Sequence, residues 1–102
     1  MQNNREVNDF EVLAQIYEDT LINGELAHYK KLVAETGLDK KYVSSNIDKL
    51  MDLCLINGDF KKDSNNKWVY CYFVSDEAMP IAKYNYEKLN EESLTLTKSK
   101  KD

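Results

Sequence analysis

Lys40-Lys41-Tyr42, followed at once by Ser44-Ser45, sets two ammonium groups and three hydroxyls close together. Hydroxyls both donate and accept, and Lys reaches far and binds as a point charge. Such a set can be a solvated helix start, or, against a nucleic acid, it can contact both phosphates and base edges. Lys41 can reach guanine O6/N7 or a phosphate, while Ser44 and Ser45 read base edges permissively. Asp48 and Asp52 follow on the same predicted face and repel phosphate, although Asp48 could accept from cytosine N4. Catalysis fits these residues poorly. The chain has one histidine, no Gly-rich phosphate loop, and no Cys/His cluster at metal spacing. The reading is therefore a binding protein, not an enzyme, with no cofactor and no bound metal.

The elements that would hold these residues follow from local signals. Asn8 or Asp9 can cap a first helix whose stripe is Phe10, Leu13, Ile16 and Tyr17, and Asn23-Gly24 stops it. A short second helix is predicted from about Ala27 to Thr36, with Tyr29, Leu32 and Val33 inward. Gly37 suits the left-handed position just past its end. Leu38 then packs back, and Asp39 caps a third helix over Lys40–Leu53 with Val43, Ile47, Leu50, Met51 and Cys54 inward. Lys49 joins Lys41, Ser45, Asp48 and Asp52 on its outer face.

An extended segment runs from Leu55 to about Lys61, and Trp68–Val74 (WVYCYFV) reads as its partner strand. The polar segment between them makes a hairpin tip carrying Lys61, Lys62, Asn65, Asn66 and Lys67. Both faces of Trp68–Val74 are apolar, so alternation leaves the inward face open. Ser75 or Asp76 caps a last helix from Glu77 to about Glu91, with Pro80 in its first turn. Residues 1–92 read as one domain and residues 93–102 as a flexible tail.

The 102-residue length suits one modest core. The formal charge is −4 and unevenly spread. Residues 1–27 carry net −5, residues 28–67 net +2 and residues 68–102 net −1. Only the middle third could attract an anion. The N-terminus has no apolar stretch of a signal peptide, and no run approaches the roughly 20 apolar residues of a membrane span. The expectation is a cytoplasmic protein with no membrane partner. Cys54 and Cys71 lie in apolar stretches and read as buried thiols, and His28 reads as exposed or capping.

The pattern TGL-x5-VS-x2-I-x2-L ending in LCLI, followed by a hairpin and FVSDEA, resembles the winged helix-turn-helix domain of bacterial and archaeal regulators. The resemblance covers residues 10–90. It departs at Cys54, where members often have Gly, and at Ser75-Asp76-Glu77-Ala78, where they often have a Thr-x-x-Gly corner. Cys54 in place of Gly predicts a turn without positive φ. The implied fold is mainly α with a small β-hairpin wing, in the order α-α-α-β-β-α.

The implied function is sequence-specific binding of double-stranded DNA as a homodimer, in the role of a small transcriptional repressor. In that geometry the third helix enters the major groove through Lys40, Lys41, Tyr42, Ser44 and Ser45. Lys30 and Lys31 lie along the backbone, and the wing tip reaches the adjacent groove. The sole arginine, Arg5, precedes the first helix, so bidentate guanine contacts are scarce. Phe10 and Tyr17 of the first helix with Ile81, Tyr84 and Leu89 of the last are the predicted dimer interface. The alternative is that they complete the chain's own core. Tyr29 and Tyr42 can equally be packing residues, the lysines can be solvated surface, and Trp68 reads as core or dimer packing rather than a base-stacking platform. Two other functions fit the same residues. One is a plasmid or phage partition adaptor that binds repeated centromere sites and a motor filament. The other is a winged helix used only for contact with another protein through the acidic surface.

Overall fold

The computed structural model describes residues 10–101, with side chains described as far as Glu91. Asn8, Asp9 and Arg5 lie outside that range. Helix α1 (Glu11–Tyr17) runs on into a π turn over Glu18–Ile22, closed by the Asn23 N–H donating to the Glu18 carbonyl at 2.9 Å. Thr20 Oγ donates back to the Ile16 carbonyl at 2.7 Å, a contact that competes with regular α geometry. The chain then enters strand β1 (Ala27–His28), helix α2 (Tyr29–Thr36) and helix α3 (Lys40–Asp52). Strands β2 (Ile56–Lys62) and β3 (Trp68–Val74), a 3₁₀ turn over Asp76–Ala78 and helix α4 (Met79–Lys101) complete it. This is a winged helix-turn-helix fold.

The second helix starts later than the sequence predicts. Ala27 and His28 pair with Tyr72 and Cys71 of β3, so the hairpin becomes a three-stranded antiparallel sheet in the order β1-β3-β2. His28 is extended at ψ 166 and caps α2, its Nδ1 accepting from the Lys31 N–H at 3.4 Å. At the other end Gly37 stands at φ 70, its N–H bonded to the Val33 carbonyl at 3.0 Å. Asp39 then caps α3 through the Lys41 N–H at 3.0 Å. Both caps of the α2–α3 corner thus arise as the local sequence predicts.

Helix α3 ends in a Schellman turn. The Cys54 N–H donates to the Met51 carbonyl at 3.0 Å and the Leu55 N–H to the Leu50 carbonyl at 2.9 Å. Cys54 sits at φ 60 and is exposed. Two expectations are corrected here: the turn does require positive φ, and this thiol is not buried. Cys71 is buried, and burial pushes its thiol pKa up. Ser75 forms no cap bond. Its hydroxyl instead donates to the Cys54 carbonyl at 2.9 Å and its N–H to the Leu55 carbonyl at 3.0 Å, tying the two ends of the hairpin together. The last helix does not stop at Glu91, because its backbone continues helical through residues 93–101.

The core gathers Val12, Leu13 and Ile16 of α1, Leu32 of α2, Val43, Ile47 and Leu50 of α3, and Ile56, Val74, Ala78 and Ala82. Phe10, Tyr17, Tyr29, Leu38 and Met51 pack around it half-buried. No helix among the described residues is long and apolar enough to cross a membrane.

Candidate nucleic-acid interface

Helix α3 turns Val43, Asn46, Ile47 and Leu50 inward, which leaves Lys40, Lys41, Ser44, Ser45, Asp48, Lys49 and Asp52 exposed. Tyr42 is half-buried at the edge of that face. Its first turn is fixed from behind, because the Tyr29 hydroxyl of α2 donates to the Lys40 carbonyl at 3.1 Å. Tyr29 is thus a packing and anchoring residue. The head of α3 is a rigid, solvent-facing array of two cations and two serine hydroxyls, at the positive end of a 13-residue helix. Asp48 and Asp52 lie further along the same exposed surface, as expected.

The wing tip is held by Asp63, whose carboxylate accepts from the Asn65 N–H at 2.8 Å and the Lys67 N–H at 2.9 Å, with Asn66 at φ 66. Lys61, Lys62, Asn65, Asn66 and Lys67 are all exposed around it. Lys61 pairs with Asp59 at 3.8 Å, an exposed contact of small energetic value. Lys62 Nζ lies 5.3 Å from the Trp68 ring. Trp68 itself is 66 % exposed, so it is not a core residue.

Lys30 is exposed beside the α2 cap, but Lys31 is not comparable to it. The Lys31 ammonium bonds Glu25 at 2.5 Å and lies 3.8 Å from Glu35 and 3.9 Å from the fully buried Asp19. Burial pulls its pKa down, yet the Glu25 hydrogen bond and the charges of Asp19 and Glu35 outweigh that and hold it above its ordinary value. Burial and a hydrogen bond to the Asp19 carboxylate push Glu35 up to about 7, against the pull of Lys31. Sequence reasoning missed this cluster because its members come from the π turn, the loop before β1 and α2. The signal available was an Asp in phase with the buried Val12 and Ile16 of the first helix.

Of the predicted interface between copies, Phe10 and Tyr17 pack on the chain's own core, Tyr17 with its ring 5.4 Å from Tyr86. Ile81 and Tyr84 are exposed and Leu89 is half-buried.

No protein-family model matches the chain, and no curated protein matches it. Solved structures do. The adhesin competence repressor AdcR of Streptococcus pyogenes superposes with a TM-score of 0.64 at 17% identity, over 98% of this chain and 70% of that one. ZitR of Lactococcus lactis, described as a zinc-responsive MarR family member, gives 0.61 at 15% identity, over 96% of this chain and 63% of its own. A ZitR structure in complex with DNA gives 0.58 at 16% identity, over 96% of this chain and 62% of its own. The chain thus spans less than two thirds of the length of the ZitR structures it resembles. At these identities the likeness is one of fold.

Zinc favours imidazole and thiolate donors. Among the described residues the trio of candidate ligands that converges, within 4.8 Å, is Asp19, Glu25 and Glu35. It is all carboxylate and already surrounds an ammonium group. That donor set does not fit a zinc site.

Proposed function

We propose that the chain is a DNA-binding regulator that reads double-stranded DNA with helix α3, acts as a homodimer and serves as a small transcriptional repressor. The observation that carries this reading is the head of α3, where Lys40, Lys41, Ser44 and Ser45 stand exposed while Asp39 and Tyr29 lock the backbone beneath them. A helix of that width fits the major groove and offers its N-terminal residues to base edges. Lys30 would meet phosphate beside it, and Lys61, Lys62, Lys67, Asn65 and Asn66 would meet the neighbouring groove. Lys31 is left out of the phosphate contacts because carboxylates surround it. The solved ZitR–DNA complex on the same fold supports the reading.

A winged helix used only for protein contact is the second reading, and exposed Asp48 and Asp52 on the α3 surface favour it. Selection of bound fragments from random DNA, at about 50 mM and about 200 mM salt, separates the two. One enriched palindrome, lost at the higher salt, is the expected result. Clustered direct repeats would indicate a partition adaptor instead. Absence of enrichment and of low-salt binding would leave protein contact as the function.

A further inference from the structure

Strand pairing sorts the wing's side chains into two unlike faces. Ile56 pairs with Val74, Gly58 with Tyr72, Phe60 with Tyr70 and Lys62 with Trp68, and directly paired residues share a face. At the root of the hairpin this face is core, since Ile56 and Val74 are buried. Toward the tip the same face runs out beyond the core and remains aromatic. Phe60 is 58 % exposed, Trp68 66 % and Tyr70 38 %. The Phe60 and Tyr70 rings lie 4.9 Å apart and Tyr70 and Tyr72 5.5 Å apart, both edge to face. The Tyr70 ring lies across Gly58, so a Cβ at that position would displace the ring from its present seat.

Charge is divided the same way. The strand acid, Asp59, is on the opposite face with Lys61, its ion-pair partner. On the aromatic face the strands contribute one charged residue, Lys62, whose ammonium lies over Trp68. Lys67 follows in the turn, where the Asp63 carboxylate is engaged by the Asn65 and Lys67 N–H groups. Asp48 of α3 is near the inner end, where it adds to the burial and the Tyr70 neighbour that raise the Tyr72 pKa.

We propose that this aromatic face is a stacking site for the unpaired bases of a single nucleic-acid strand. Every base has a π-face, so aromatic rings beside a cation bind single strands with little sequence preference. The phosphates would run along the Lys62–Lys67 end, away from Asp48. The cation beside the rings, with the strand acid turned to the other face, is what matches a strand of stacked bases and phosphates. The site shares Lys62 and Lys67 with the wing contact of the duplex reading but uses no residue of α3.

Trp68 is the chain's only tryptophan, so its emission reports on this site directly. The full chain is titrated with oligo(dU), with oligo(rU), and with an abasic strand, each of about 12 nucleotides. Quenching by either base-bearing strand and not by the abasic one is expected, and the stronger of the two identifies the sugar. Phe60→Leu keeps apolar area and removes a ring, and Trp68→Leu does the same. Each should weaken binding of a labelled strand at least about fivefold by fluorescence anisotropy. Lys41→Glu with Ser45→Glu should leave the quenching in place, so failure of the duplex reading is distinguishable from failure of this one. Equal quenching by the abasic strand would reduce the site to charge. Absence of quenching, or a doubled molecular mass that Phe60→Leu abolishes, would overturn the proposal, the latter in favour of contact between two copies.

Discussion

Asp19 is a fully buried carboxylate with the side chains of Gln15, Lys31 and Glu35 gathered about it. Glu35 is the member that titrates near neutrality, at about 7, against an ordinary value of 4.5. Between those values the folded chain keeps a proton that the unfolded chain has lost. Stability from this group is therefore complete below about pH 4.5 and is lost as pH rises through about 7. Glu35→Gln retains a donor and cannot ionise. The melting temperature of the natural chain, measured relative to that of Glu35→Gln, should fall by several degrees from about pH 5 to about pH 8. Parallel melting curves at both pH values would assign the titration elsewhere. At the α3 head, Lys41→Glu with Ser45→Glu places two anions where phosphate is proposed to lie. Both positions are exposed, so binding to duplex DNA should be lost while the melting temperature holds. Persistent binding measured by gel shift would remove α3 from the interface.

At the scale of elements, the joint between α3 and β2 decides how the wing leaves the body. The Schellman turn forces Cys54 to φ 60, a region that costs an L-residue roughly 1–2 kcal/mol. The cost is met because Ser75 binds the Cys54 and Leu55 carbonyls from the far end of the hairpin. Cys54→Gly removes the Cβ penalty but gives the unfolded chain more freedom to lose. The net expectation is a gain of about 0.5–1 kcal/mol, visible as a higher urea midpoint with an unchanged slope. A lower midpoint would mean that the exposed thiol makes a contact that outweighs the strain. The π turn at the end of α1 is the other irregular joint. Asp19 lies within it and faces Lys31 and Glu35 of α2, so the cluster gathers where the helix departs from regular α geometry.

At the scale of the whole molecule, α1 and α4 pack together through Tyr17 and Tyr86. Tyr17 and Phe10 are engaged with the chain's own core, whereas Tyr84 remains 60 % exposed with Ile81 beside it. Two such residues one turn apart on a helix form a small apolar stripe suited to a second copy. If the proposed homodimer forms there, Tyr84→Asp should raise its dissociation constant about tenfold or more, read as a lower mass by light scattering at equal concentration. An unchanged mass would move the interface off α4. With net charge −4, the chain must present its basic middle third alone to any duplex, so binding should be strongly dependent on salt.

What the sequence by itself determined is what short-range chemistry controls. The left-handed Gly37, the Asp39 cap, the strand Trp68–Val74 and the inward stripe of α3 each depend on residues a few positions apart. The exposed α3 head followed from that stripe, since fixing the inward face of a helix fixes the outward one. The tertiary structure alone decided what depends on distant partners. WVYCYFV is apolar on both sides and has no period to reveal which rings the core leaves uncovered, and the core ends before Phe60, Tyr70 and Trp68. Ala27-His28 became a strand because β3 offered an edge to pair with. Lys31 changed from a free cation to the centre of a carboxylate cluster because a π turn and a loop brought Asp19 and Glu25 to it. Local periodicity carries no information about such encounters, because their geometry exists only once the chain has closed on itself.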